Sequence, residues 1–188
     1  MIWLVGGVLL WTLAHLCKRV TPGLRAWLQD SLGDVSKLVF ALAILASVAL
    51  MVVGYRSADF IPVWTPPAFF GHLNNLLMVV ALYVYLSAMA APRLWIARIK
   101  HPQLAGFKIW AVAHLLANGD LASIVLFGGL LGWAVVNLIV INRQSGPWDR
   151  PETAPIKSEV VMGLVGIAGF GVVSALHVWL GVNPFGGI

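Results

Sequence analysis

Apolar residues run along this chain in long blocks separated by short polar stretches. A bilayer core about 30 Å thick needs about 20 apolar residues per helix. Six blocks qualify, at residues 2–17, 38–54, 69–91, 104–117, 121–141 and 160–180. The pattern predicts an all-α fold, a polytopic bundle of about six transmembrane helices in one domain. The fourth block is short, and Lys108 lies one turn into it. A lysine can carry its ammonium to the interface while its stem stays in the apolar layer. A start near Pro102, a common first-turn residue, gives that helix more length. A re-entrant segment is the other reading.

The connections carry their own signals. Residues 18–37 predict an interfacial turn of helix using Leu24, Trp27 and Leu28. In residues 55–68, Pro62, Pro66 and Pro67 enforce an extended, non-helical path. Residues 142–159 form a polar, proline-rich link. Trp64, Trp95, Trp148 and Trp179 lie near the ends of apolar blocks, where indole suits an aromatic belt.

Composition agrees with the pattern. The chain has 188 residues, 60% hydrophobic and 10% charged. A soluble domain carries roughly 25% charged residues, so these charges cannot cover a water-facing surface. The single cysteine, Cys17, excludes an internal disulfide and any multi-cysteine zinc site.

The net charge of +5 does not point to nucleic acid, because no basic stripe is interleaved with exposed aromatics. The charges sort by side instead. If all six blocks cross, the first, third and fifth connections hold eleven of the twelve Lys and Arg residues, Arg93 among them. Only Arg56 falls on the other side. Cytoplasmic loops carry such an excess, so both termini are expected on the non-cytoplasmic face. No basic residue precedes the first apolar block, and Lys18 and Arg19 follow it, which is an anchor pattern rather than a cleaved signal.

Ionisable groups inside spans are candidates for function. All five histidines lie in the apolar blocks or at their edges. His15 and His101 lie towards the cytoplasmic face, and His72 and His177 towards the outer face. His72 is close to Asn74 and Asn75. His114 lies in the outer half of the fourth block, and Asn118 four residues on shares its helix face, as does Trp110. Asn118-Gly119-Asp120 is turn chemistry, with Asp120 able to cap the next helix. These residues either close a turn or hold a ligand. Neutral imidazole is the commonest metal ligand among side chains.

No Cys-x-x-Cys-His motif is present, which excludes covalent haem but allows b-type haem. No His-Glu-x-x-His occurs, and no glutamate is expected within a span, so carboxylate chemistry would rest on Asp120 or Asp59. No Gly-x-Ser-x-Gly occurs, and Ser123 is expected to pack inside its helix. Gly106, Gly128, Gly129 and Gly132 are expected at close helix contacts, the pair Gly128 and Gly132 forming a G-x-x-x-G.

Several stretches together resemble the NnrU family of bacterial membrane proteins. They are LGDVSKLVFALAILASVALMVVGYRSAD, WTPPAFFGHLNNLLM and, most specific, HPQLAGFKIWAVAHLLANGDLASIVLFGGLLGWA. His15 and ALHVWLGVNPF also fit. One departure is Gly71 before His72, where the family would place a basic residue.

The resemblance implies an inner-membrane protein associated with denitrification and nitric-oxide metabolism. It also implies a relation to the plastid 15-cis-ζ-carotene isomerase, a haem b membrane enzyme with axial histidines. On that basis haem b would be held by His15 and His114. By helix rise that pair differs in depth by about 10 Å, and His72 matches His114 better. His101, Asn118, Asp120, Asn75 and His177 are further polar candidates. The partners implied are membrane lipid and either nitric oxide or an apolar small molecule.

Two other functions stay open. One is haem-dependent cis–trans isomerisation of a carotenoid-like lipid. The other is a methyltransferase-like role, for which His101-Pro102 is the only sign, or a transport role, at which only the fourth block hints.

Overall fold

The computed structural model describes residues 1–89, 96–150, 152–153 and 155–185. Arg93 and Trp95 lie outside the described residues. Seven helices are described, joined by loops and by one short helical turn at Ile96–Arg98. They are α1 (Ile2–Val20), α2 (Pro22–Leu32), α3 (Val35–Arg56), α4 (Phe70–Ser87), α5 (Pro102–Ala117), α6 (Leu121–Gln144) and α7 (Ile156–Trp179). Four of them, α3, α4, α6 and α7, are long and apolar enough to cross a membrane. The 19 residues of α1 carry Lys18 and Arg19 in their last turn. The 16 residues of α5 start at Pro102 and form one continuous helix, about 24 Å long at 1.5 Å per residue.

The burial pattern is that of helices packed in lipid. Residues with no exposure include Ser36, Ser47, Ala111, Ala113 and Ala134, while Leu38, Leu42 and Leu45 are more than half exposed. Lipid is as apolar as leucine, so close packing through small residues brings such helices together.

The chain divides into two compact units. The first holds Met1–Trp64 and Gly119–Gln144. In it α1 and α3 are antiparallel. A β-carbon on Gly7 would lie 2.8 Å from the Ser47 carbonyl, and one on Gly54 would collide with the Leu4 backbone. Only glycine lets the two backbones come this close. Helix α6 runs parallel to α1, since Gly129 lies against Val8 at one end and Arg19 bonds Gln144 at the other.

Helix α2 is fastened to the start of α3. Arg25 donates to Ser36 Oγ at 3.0 Å, Ser36 donates to Gln29 at 2.7 Å, and the guanidinium lies 4.8 Å above the Phe40 ring. Leu24 and Trp27 point outward, as an interfacial helix requires.

At the opposite end the proline-bearing segment after α3 is extended, as expected. It is tied to the start of α6. Val63 and Trp64 donate to the Gly119 carbonyl at 2.8 and 3.1 Å, and Leu121 donates to Ile61 at 2.9 Å. The chain therefore leaves this unit and re-enters it at neighbouring positions.

The second unit holds Thr65–Asn118 and Ser145–Ile188. Helices α4 and α5 form an antiparallel pair. Gly106 lies so close to Ala81 and Tyr85 that a β-carbon would approach the Ala81 carbonyl to 2.7 Å. Helix α7 packs on α4 through Gly166 and Tyr83.

Two expectations need correction. Among the described residues, a β-carbon added at Gly128 or Gly132 would meet nothing from another helix within 4 Å, so that spaced pair is not a close helix contact; Gly106 and Gly129 are. Glu159 is not outside the helix. It lies in the first turn of α7, is 8% exposed, and accepts a hydrogen bond from the Tyr83 hydroxyl.

Candidate functional site

Two histidines share one local arrangement. The sequence Trp-x-x-x-His occurs on α1 as Trp11 to His15 and on α5 as Trp110 to His114. Four residues is about one helical turn, so indole and imidazole stack along one face. The ring centroids are 4.1 Å apart in the first pair and 5.2 Å in the second.

In each pair the histidine Nδ1 also meets the tryptophan's backbone carbonyl, at 2.9 and 3.0 Å. A carbonyl can only accept, so Nδ1 carries the hydrogen. The neutral ring then has its lone pair on Nε2, the nitrogen that can bind a metal. Histidine ligands are commonly fixed in this way by a bond from the other ring nitrogen. His177 on α7 repeats the bond with the Val173 carbonyl at 2.8 Å.

His15 belongs to the first unit. Its imidazole lies 5.0 Å from the Trp133 ring of α6, edge to face, and Trp133 in turn lies 5.4 Å from Trp11. Two indoles from different helices thus frame one imidazole. His114, His72, His101 and His177 belong to the second unit.

Asn118 Nδ2 donates to the His114 carbonyl at 2.8 Å, so the amide closes the end of α5. His72 is exposed in the first turn of α4, and Asn75 accepts a 3.2 Å bond from its neighbour Asn74. His101 precedes the first turn of α5, and its carbonyl accepts from Ala105.

Asp120 caps α6. Its carboxylate accepts from the Ser123 backbone N–H at 2.9 Å and from the Ser123 hydroxyl at 2.5 Å. The Ser123 hydroxyl also pairs with the Tyr55 hydroxyl of α3 at 2.8 Å. Ser123 is fully buried and Asp120 is 8% exposed. Ser123 is therefore a hydrogen-bond hub and not a packing residue alone. The turn that follows, Ile124–Gly128, is widened to a π-turn, a local irregularity often found near functional positions.

The sequence reading singled out His15, His114 and Asp120. It missed Trp11 and Trp133 beside His15, Tyr55 and Ser123 beside Asp120, and Tyr83 with Glu159. The repeated Trp-x-x-x-His spacing could have found Trp11. Trp133, Tyr55 and the pair Tyr83 and Glu159 come from distant parts of the chain, whereas Ser123, three residues after Asp120, is assigned to packing by the sequence. Among the described residues, no three His, Cys, Asp or Glu side chains come together as a metal-binding group. Haem needs only one or two imidazoles, and the histidines with Nδ1 held by a carbonyl suit that chemistry.

A family model described as NnrU protein matches residues 3–184. No curated protein and no solved structure matches the chain.

Proposed function

The chain belongs to the NnrU protein family, and from that premise we propose that it is a six-crossing bacterial inner-membrane protein that binds haem b through an intramembrane histidine and serves nitric-oxide metabolism. The observation that carries the haem reading is the held imidazole of His114, with Nδ1 on the Trp110 carbonyl at 3.0 Å. That bond fixes the tautomer and the ring orientation, as a metal site requires.

His114 is the assigned ligand. His15 has the same local geometry and is the rival ligand. A bound haem b supplies one-electron exchange, and it can take a diatomic gas where the protein leaves a coordination position open. Trp110 presents an apolar ring beside the imidazole, and Asn118 anchors the carbonyl behind it.

The chain path supports the reading of six crossings. The segment between Trp64 and Gly119 starts and finishes at hydrogen-bonded positions. Helix α4 is long enough to cross, and on this reading α5 brings the chain back. Helix α1 packs antiparallel against α3, which is also long enough. With the basic connections on the cytoplasmic side, both termini lie on the other face.

The experiment is an absorption spectrum of the full chain, purified in detergent from cells supplied with haem precursor. The wild type should show a Soret band with b-type α and β bands. His114→Ala should lose it, and His15→Ala should keep it. A wild-type protein without a Soret band rejects the haem reading. A band lost only in His15→Ala moves the ligand to the other unit.

A further inference from the structure

The α1–α6 contact around His15 holds two buried polar atoms that the fold leaves without a hydrogen-bond partner. One is the indole nitrogen Nε1 of Trp11, a donor, and the other is the carbonyl oxygen Oδ1 of Asn137, an acceptor. A buried polar atom left unsatisfied is costly. Trp11 is on α1 and Asn137 on α6, the helices that meet at the Trp11–Trp133 contact. Trp11 touches Trp133 at 5.4 Å, and Asn137 is one turn beyond Trp133 on the same face of α6. The His15 imidazole lies against both indoles, and its Nε2 is the ring's acceptor.

A molecule completing this site must accept from Trp11 and donate towards Asn137 and His15. It must also offer a flat apolar face to the indoles. Trp11 and His15 are only half-buried, so the site opens to its surroundings. Val136 and Ile139 beside Asn137 are each 45% exposed and extend the apolar surface outward. A phenolic ring with an apolar tail has every one of these features, because each O–H both donates and accepts.

We propose that Trp11, His15 and Asn137 form a binding site for the hydroxylated ring of a lipid-soluble hydroquinone. The phenol oxygen accepts from Trp11, and the O–H protons go to Asn137 and to His15 Nε2. The ring lies along the indoles, and the tail follows the exposed face of α6. The oxidised quinone has no O–H to give: Asn137 can turn its amide to donate instead, but His15 Nε2, with the ring hydrogen held at Nδ1 by Trp11, is left without a donor. The site therefore prefers the reduced form. It is separate from the haem site assigned to His114.

The test is equilibrium binding of decylubiquinol to the purified full chain, by titration calorimetry under reducing conditions. The wild type should bind one molecule saturably and bind decylubiquinone about tenfold more weakly, the factor expected for one lost hydrogen bond in an apolar site. Trp11→Phe and Asn137→Leu should each weaken binding of the reduced form about tenfold, with melting midpoints checked alongside. Trp179→Phe should bind like the wild type. No saturable binding, or equal affinity for the two oxidation states, overturns the proposal. So does a solved structure in which a single water joins Trp11 to Asn137 with decylubiquinol present in excess. A Soret band lost in His15→Ala alone also overturns it, because iron would then occupy the His15 Nε2.

Discussion

The backbone N–H of Trp64 donates to the carbonyl of Gly119 at 3.1 Å, joining the two points where the chain leaves and re-enters its first unit. An excursion that ends where it began must cross a bilayer an even number of times. On the six-crossing reading proposed above, α5 makes the return crossing although its 16 residues are few for one. Single cysteines placed in a Cys17→Ser background test it. Ala58→Cys and Asn183→Cys should react with a membrane-impermeant maleimide from outside the cell. Ala26→Cys and Ser145→Cys should react only after the membrane is opened. Labelling of Ser145→Cys from outside would remove one crossing.

The Asp120 carboxylate holds the start of α6 through two bonds from Ser123. Replacing a helix-capping aspartate by alanine costs about 0.5–2 kcal/mol, and here a buried hydroxyl also loses its acceptor. Asp120→Ala should therefore lower stability by about 2 kcal/mol. Tyr55→Phe removes one bond to the same hydroxyl and should cost about 1 kcal/mol. Reversible unfolding in mixed micelles measures both. Equal costs would mean that Tyr55 and Asp120 do not differ in weight at this hub.

Two glycines on apolar helices should behave oppositely. A side chain at Gly54 meets the Leu4 backbone, which cannot rotate away, whereas Gly132 has open space around it. Gly54→Val should cost about 3 kcal/mol or prevent folding, the upper range for overpacking a helix contact. Gly132→Ala should stay within about 0.5 kcal/mol of the parent. Thermal midpoints in one detergent provide the comparison. A tolerated Gly54→Val would show that α1 and α3 do not pack this closely.

Glu159 is buried in the first turn of α7 under the Tyr83 hydroxyl. Tyr83→Phe takes one hydrogen bond from a buried carboxyl and should cost about 1–3 kcal/mol. Glu159→Gln keeps an acceptor for Tyr83 and should cost less. The order of the two melting midpoints decides. If Glu159→Gln is the more damaging change, the bond from Tyr83 is not what holds this carboxyl.

Much of this architecture is legible along the chain because lipid imposes a long apolar period. Pro62, Pro66 and Pro67 announce the extended segment by removing donors. The spacing from Trp110 to His114 to Asn118 places three residues on one face, and the structure bonds them along it. The pairing of Tyr55 with Ser123 is invisible because 68 positions separate them and no local rule links them. Glu159 lies in a polar approach to α7, where the pattern does not say whether the helix has begun. The G-x-x-x-G spacing of Gly128 and Gly132 identifies a face of α6 but not what, if anything, packs on it. Gly54, with no such spacing, makes the closer contact.

Haem content measured directly tests the central claim best. A pyridine haemochrome assay on the full chain and on His114→Ala, purified side by side, counts b-type haem per chain without relying on band shape. The wild type should carry about one haem per chain, and the variant less than about a tenth of that, since a haem site that loses its ligand loses at least about tenfold in affinity. Equal haem in the two proteins, or none in either, would contradict the account.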